Sequence, residues 1–484
     1  MQLNILIAIP ILTTLLILVA KSNGQIRLVA LLGGIIQLIM SGALLSTFFA
    51  YRHAGILDNF LFKKSYAWFP RLGINFAMGV DGAAVSMILL TALVVVAGIL
   101  VSWKIKERVK EFFVLLTLLS TGAYGFFISL DFFTMFFFLE LAVIPKFLLI
   151  GIWGSGKKEY SAMKLALMLM GGSVLLLIGM IALYFHTATG NALPTFSLTE
   201  LAEHPLPIHQ QYLIFPFLFV GFGVFTAIFP FHTWAPDGHS SAPTAASMFL
   251  AGISMKLGAF GCLRVVTLLM PEAATYYSGW IVGVACIAIL YGSLATLMQK
   301  DLKYMNAYSS VSHCGIILLG LGMMTKTSIN GAVMQMISHG LMTALFFGVI
   351  GMVYDRTHTR KIEDMSGLLK KLPFSGTVFL IAGLCSLGLP GLSGFAAEVT
   401  VFVGSWERTE LAYRVATILA CSSIVVTAVY ILRASAKVLM GPYEVVDNPS
   451  FTDAKWNEQL AAMLLIGAIL AIGVAPFWLM NLIG

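Results

Sequence analysis

The chain has 484 residues, of which 59% are hydrophobic and only 11% are charged, and its formal net charge is +7. Soluble globular proteins carry about 25% charged residues, so this composition excludes a soluble enzyme and a disordered chain. The basic residues are scattered singly and form no stripe, so membrane topology explains the charge better and nucleic acid is not an expected partner. We therefore predict an all-α protein that crosses a lipid bilayer many times.

Fourteen apolar runs, each bounded by charge, glycine or proline, approach the length of about 20 residues that a transmembrane helix needs. They lie at about 3–20, 27–50, 82–102, 112–129, 131–152, 163–185, 211–230, 243–269, 278–298, 305–324, 328–353, 374–401, 411–432 and 458–481. The odd-numbered segments between these runs carry 19 basic residues and the even-numbered segments carry 8. Because basic loops face the cytoplasm, the odd segments are predicted to be cytoplasmic and both termini external.

Four ionisable side chains lie well inside these runs: Glu140, Lys146, Lys256 and Glu398. Charged groups inside a membrane are costly and typically mark ion paths, so for both glutamates and Lys256 we favour proton transfer over a structural hydrogen bond. Glu398 lies just past an interruption, where the start of a half-helix would favour its negative charge. Lys146 follows Pro145 near a predicted cytoplasmic end, so extension of its ammonium to the lipid headgroups is an equal alternative.

Histidines in successive runs, His313 and His339, are suited to relay protons because imidazole titrates near neutral pH. His232 and His239 flank a proline-rich segment in an irregular spacing, and we expect them to hold that loop rather than to bind metal. The five cysteines fall in apolar runs without the spacing of metal ligands. We therefore predict no metal site and no redox centre in this chain.

Two runs are interrupted by proline and glycine. Pro230 lies in FPFHTWAPDGHSSAP and Pro390 lies in LGLPGLSGF. Proline removes a helix donor and clashes with the preceding turn, and a broken helix is tolerated only where protein or a wet cavity surrounds it. Paired interruptions in the two halves of a transporter indicate an internal repeat with its ion path at the breaks. Their positions in the seventh and twelfth runs predict inverted repeats.

The longest distinctive segment is FPFHTWAPDGHSSAPTAASMFLAGISMKLGAFGCLR at 229–264. It resembles the antiporter-like subunit M, or chain 4, family of respiratory NADH:quinone oxidoreductase, complex I. Further segments with the same resemblance are LELAVIPKFLLIGIWG (139–154), QKDLKYMNAYSSVSHCGIILLG (299–320), QMISHGLMTALFFGVIGMVYDRTHTR (335–360) and LGLPGLSGFAAE (387–398). Together these segments cover most of the chain from residue 76 onwards.

This resemblance implies fourteen helices with two inverted five-helix repeats at helices 4–8 and 9–13. The corresponding division is 1–110 for the first three helices, 111–270 and 271–440 for the repeats, and 441–484 for the C-terminal loop and last helix. It implies a place in the membrane arm of complex I, in a bacterial-type cytoplasmic membrane, with antiporter-like neighbours on both sides. It also implies no cofactor in this chain, because FMN, iron–sulfur clusters and quinone belong to partner subunits.

The resemblance further implies functional residues. In the family, a glutamate on helix 5 pairs with a lysine on broken helix 7, and a lysine on helix 8 and later histidines relay towards a charged residue on broken helix 12. The matching positions in this sequence are Glu140, Lys256, His313, His339 and Glu398.

One family residue is missing, because the position of the helix 7 lysine is Phe225 in this sequence. Our hypothesis is that Lys146 pairs with Glu140 instead, with the helix locally bent at Pro145. On an ideal helix, residues that are six apart lie about 120° apart around the axis, which opposes direct contact. A lysine that faces lipid would contradict this hypothesis.

We predict proton translocation driven by quinone reduction elsewhere in the complex. The alternatives are the large subunit of a multi-subunit cation/proton antiporter, a membrane subunit of a hydrogenase-type complex, and a spacer that does not pump. The missing helix 7 lysine keeps the spacer as an alternative.

Overall fold

The computed structural model describes residues 2–187, 194–442 and 452–484. It is mostly helical, at 79%. Within the described residues, eleven helices are long and apolar enough to cross a membrane, and two shorter apolar helices accompany them. These findings support an integral membrane protein with many crossings.

The first half of the chain contains two strands and ten helices. Their bounds are α1 Ile5–Val19, α2 Asn23–His53, β1 Leu61–Phe69, β2 Ile74–Val80, α3 Gly82–Val101, α4 Val109–Ile128, α5 Phe132–Leu141, α6 Val143–Trp153, α7 Lys158–His186, α8 Leu198–Glu203, α9 Ile208–Thr226 and α10 Trp234–Ser241.

In its described part, the second half has helices as its regular elements. Its elements are α11 Thr244–Phe249, a π-helical turn Leu250–Ser254, α12 Met255–Arg264, a second π-helical turn Val265–Leu269, α13 Pro271–Leu297, α14 Leu302–Gly322, α15 Lys326–Thr357, α16 Leu368–Lys371, α17 Pro373–Ser386, α18 Ser393–Trp406, α19 Leu411–Leu439, α20 Trp456–Val474 and α21 Phe477–Ile483. The predicted loop at the start of 441–484 lies largely outside the described residues, since 443–451 are not described.

The prediction of an all-α fold was wrong for the segment before α3. There β1 and β2 form an antiparallel hairpin, and Gly73 occupies the left-handed region at φ +61° in its turn. Aromatic residues such as Tyr66, Trp68 and Phe76 favour strands, and glycine adopts a positive φ without steric cost. The strands are too short to stand out beside the long apolar runs.

Both predicted interruptions are present. α9 ends at Thr226 and α10 begins only at Trp234, so Pro230 lies in a non-helical connection. α17 ends at Ser386 and α18 begins at Ser393, with Pro390 between them. Proline in each connection cannot donate a backbone hydrogen bond, which explains why neither helix continues.

Several helical segments form the protein interior. α15 and the segment 244–269 have their apolar windows fully buried inside the protein, and α3 is largely buried. The outer helices α2, α7 and α19 expose most of their apolar windows, as expected for helices that face lipid or another subunit. Polar side chains on the central segments are therefore shielded from water by the protein itself.

An ion network fixes the last long helix to the interior. Glu458 in α20 is 1% exposed and accepts from Lys104 Nζ at 2.6 Å and from Arg356 Nη2 at 2.8 Å. Arg356 also donates to the carbonyl oxygens of Thr452 and Asp453. The network joins the ends of α3, α15 and α20.

Replacing Glu458 with glutamine is expected to lower thermal stability strongly. Removing one partner from a buried ion pair typically costs about 3–5 kcal/mol, because the other charge stays buried without compensation. The matched control is Glu410→Gln, since Glu410 is exposed and pairs with Arg408 at the surface. The measurement is the melting temperature of the purified complex, and equal melting temperatures for the two variants would contradict the expectation.

A buried series of charged and histidine side chains

Glu140 lies in the last turn of α5, where a proline interrupts the helix. Pro145 lacks an N–H for the carbonyl of Leu141, and α5 ends at that residue before α6 begins at Val143. The backbone N–H of Ala142 still donates to the carbonyl oxygens of Phe138 at 3.3 Å and Leu139 at 3.2 Å. The half-buried Glu140 carboxylate accepts a hydrogen bond from the Ser173 hydroxyl of α7.

Lys146 points into the protein and does not reach the headgroups. Its side chain is 1% exposed, and its ammonium lies 6.0 Å from the centre of the Phe225 ring on α9. Glu140 is the ionisable group that acts on it electrostatically. No direct ion pair joins the two within the described part of the chain, so their charges interact across a gap.

Lys256 follows the π-helical turn before α12 and is 0% exposed. Its ammonium donates to the carbonyl oxygen of Ala251 at 2.5 Å and to His339 Nδ1 at 2.8 Å. A π-helical turn changes the spacing of backbone hydrogen bonds and is frequent at functional sites. The lysine thus satisfies a local carbonyl and contacts α15 at the same time.

His339 and His313 continue this series. Their rings stack with centroids 5.2 Å apart. His313 Nδ1 lies 3.2 Å from Glu398 Oε1, and His313 Nε2 lies 3.2 Å from the Ser386 hydroxyl. A proton on Nδ1 would be donated to Glu398, while Nε2 would accept from Ser386.

Gln335 is a third neighbour of His313 that the sequence did not indicate. Its Nε2 lies 3.2 Å from His313 Nδ1, while its Oε1 has no hydrogen-bond partner. Turning the amide over would let Oε1 accept the Nδ1 proton, because the two amide atoms differ only in their hydrogens. His313 Nδ1 can thus donate either to Gln335 or to Glu398.

Glu398 is buried in α18, and the preceding interruption gives it room. A side-chain carbon at Gly388 would lie 2.9 Å from Glu398 Oε2, and Gly388 adopts φ +77°. Glu398 is the sixth residue of α18, beyond the first turn in which a helix dipole acts strongly. The expectation that a helix start stabilises this carboxylate was therefore wrong, and His313 is its close partner.

The structure therefore brings four predicted residues together, namely Lys256, His339, His313 and Glu398. The two histidines are joined by ring stacking, and His339 Nε2 has no hydrogen-bond partner within the described residues. Glu140 and Lys146 form a separate group between α5, α6, α7 and α9. Among the residues that the structure describes, no hydrogen bond or ion pair connects this group to Lys256.

His239 and Lys303 are two further buried ionisable side chains that the series does not include. His239 is fully buried, neither ring nitrogen has a hydrogen-bond partner, and both lysines act on it electrostatically. The expectation that His239 holds its loop was therefore wrong for hydrogen bonding, and its ring stacks on Phe347 instead. Lys303 Nζ donates to the carbonyl oxygen of Ala242 at 2.7 Å.

Lys303 was missed because it stands in a polar segment beside Asp301. Asp301 caps α14, so Lys303 already lies in the first helical turn and points inward. A capping aspartate before an apolar run is the signal that could have placed this lysine inside. In the described ranges, no group of three or more histidine, cysteine or acidic residues could hold a metal ion.

The family described as NADH:quinone oxidoreductase/Mrp antiporter, transmembrane, matches residues 129–424, more than half of the chain. The chain belongs to this family. Curated relatives confirm the resemblance to subunit M, or chain 4. NAD(P)H-quinone oxidoreductase chain 4 1 of Synechococcus sp. is 35% identical over 98% of this chain and 89% of its own length. NADH-quinone oxidoreductase subunit M of Rickettsia typhi is 33% identical over 99% of this chain and 96% of its own.

Solved structures show the same fold. A chain of respiratory complex I from Thermus thermophilus superposes with a TM-score of 0.88 at 25% identity, and the match covers 100% of both chains. A chain of the Mrp complex from Dietzia sp. has a TM-score of 0.84 at 19% identity, covering 99% of this chain and 95% of its own, which shows the shared fold.

Proposed function

We propose that this chain is a proton-translocating, antiporter-like subunit in the membrane arm of an NADH:quinone oxidoreductase. The observation that carries the proposal is the buried series in which Lys256 contacts His339, His339 stacks on His313, and His313 contacts Glu398. The names of its relatives and its superposition on complex I support the same reading. Membrane-arm subunits on both sides are the expected partners.

The protonation of each ionisable side chain in this series depends on the charge of its neighbours. A charged side chain at the centre of a bilayer costs at least about 2.5–3.5 kcal/mol on insertion scales, so a change in a neighbouring charge alters its protonation. Lys256 donates to His339 Nδ1, which makes that nitrogen the acceptor for the lysine's proton. Beyond the stacked rings, His313 Nδ1 faces the Glu398 carboxylate.

This chain's own residues bind, orient and move protons, and electron transfer belongs to the partner subunits. FMN, iron–sulfur clusters and quinone are accordingly assigned to those partners. The energy of quinone reduction reaches this chain as a change in charge or position at its ends. Glu140 with Lys146 and Glu398 with His313 are the two charged groups that we assign to receive or pass on that change.

We also propose the finer architecture that the resemblance implies. Fourteen crossings would form inverted repeats over 111–270 and 271–440, flanked by 1–110 and 441–484, with both termini outside a bacterial cytoplasmic membrane. The two interrupted helices support the repeat, because α9/α10 and α17/α18 break at the predicted places.

A cation/proton antiporter subunit is the main alternative, because the fold is shared with the Mrp complex. A spacer that does not pump is the other, since Glu140 lacks a direct ion pair within the described residues. For both alternatives, the expected effect of losing Glu140 differs from the effect expected for a proton-translocating subunit of complex I.

The test is NADH oxidation and acidification measured together in inside-out vesicles that contain Glu140→Gln. We expect both rates to fall by at least about tenfold, because a positioned proton-transfer group typically contributes about 10²–10⁴. Glu410→Gln is the matched control, since Glu410 is exposed and lies far along the chain. Unchanged NADH oxidation and pumping would overturn the proposal, and a simultaneous loss of sodium/proton exchange would favour the antiporter.

A further inference from the structure

A buried lysine, a glutamate and an aromatic ring meet where α5, α6, α7 and α9 pack together. Lys146 is the lysine, Glu140 the glutamate and Phe225 the ring. The lysine is among the largest fully buried side chains of the described residues, yet its ammonium has neither a hydrogen bond nor an ion pair there. A buried cation without a hydrogen-bonded partner is expensive, so it needs a compensating charge nearby.

Two adjacent residues of α7 bring the glutamate and the ring together. Ser173 donates to Glu140, and a side-chain carbon at the preceding Gly172 would lie 3.3 Å from the Phe225 ring. The carboxylate and the ring therefore contact the same turn of α7. Since the ammonium of Lys146 faces that ring, all three side chains border one small space.

One cation and one anion border this space. Lys146 is the ionisable group that acts electrostatically on Glu140, and Glu140 is the one that acts on Lys146. The helix is interrupted at Ala142, so the angle of about 120° expected on an ideal continuous helix does not apply strictly.

We infer that Lys146 is the cation that partners Glu140, and that it supplies from α6 a charge that can equally be supplied from position 225 on α9. This inference rests on the proposed function and deepens it by naming the positioning residue for Glu140. The space requires one cation facing the carboxylate, and it does not require that the cation come from a particular helix. A lysine at position 225 would replace the ring that now faces the ammonium.

The test compares four variants in the full complex, with acidification and NADH oxidation measured in inside-out vesicles and assembly checked on native gels. Lys146→Met is expected to lose acidification by at least about tenfold, as Glu140→Gln does. Combining Lys146→Met with Glu140→Gln should add no further loss, because residues that act as one pair are not additive. Combining Lys146→Met with Phe225→Lys should restore most of the lost acidification.

Lys370→Met is the matched control, because Lys370 is exposed. The restoration by Phe225→Lys separates a charge requirement from a packing requirement, since a packing defect at position 146 would persist. Full acidification by Lys146→Met together with loss in Glu140→Gln would overturn this inference and leave the proposed function standing. An assembled Lys146→Met/Phe225→Lys complex that still fails to pump would also overturn it. Full acidification in both single variants would overturn the proposed function itself.

Discussion

Replacing Lys256 with methionine is expected to stop proton translocation and to slow NADH oxidation by the whole complex. Lys256 is 0% exposed and donates to His339 Nδ1, so it connects α12 to the histidine series through a hydrogen bond. Methionine has a similar length and fills the space, but it carries neither charge nor proton. We expect acidification to fall at least about tenfold, as for loss of a positioned proton-transfer group.

The experiment uses inside-out vesicles in which NADH oxidation and acidification are followed together. Lys370→Met serves as the control for the same chemical change at an exposed position. Native gels check assembly, because the substitution leaves the Ala251 carbonyl without its side-chain donor. An assembled Lys256→Met complex with normal, fully coupled turnover would refute the role of the series.

Two substitutions of His339 distinguish a structural role of this residue from a role in proton transfer. Asparagine at position 339 places an oxygen near the site of Nδ1, so it can accept from Lys256 as the histidine does. It lacks the second ring nitrogen and the ring that stacks on His313. We expect both His339→Asn and His339→Ala to lose acidification by at least about tenfold, because neither can pass a proton on.

Thermal stability provides the contrasting measurement for this pair. His339→Ala leaves the buried ammonium of Lys256 without one acceptor and should melt at a lower temperature than His339→Asn. If His339→Asn restores acidification as well as stability, the role of His339 is structural and the relay does not pass through its ring. A stable His339→Asn complex that does not pump would support proton transfer through the ring.

Several properties follow from the sequence because they depend on composition and local backbone chemistry. The low content of charged residues indicates a membrane protein, because charged side chains inside a bilayer are costly and therefore rare. The interruptions at Pro230 and Pro390 follow from the missing proline N–H, whatever surrounds them. Glu140, Lys256 and Glu398 stand out for the same reason, as charged residues inside apolar runs.

Other features depend on which helix faces which, and no local pattern determines that. The inward direction of Lys146 follows from its position beside Phe225 on another helix, whereas the sequence left the headgroups as an equal alternative. Lys303 is buried because α14 begins one residue earlier, at Leu302, and its ammonium reaches the carbonyl oxygen of Ala242. His313 on α14 likewise contacts Glu398 on α18, although the two residues are 85 positions apart in the sequence.

The chain sequence therefore determined the class of the protein, its two broken helices and most of the side chains that can carry protons. The tertiary structure alone decided their connections, because a buried charge is stabilised by partners that other helices bring to it. Lys256 with His339, His313 with Glu398, and Lys146 facing Phe225 are such contacts between helices. Packing in three dimensions sets these distances, and a pattern along one helix does not contain them.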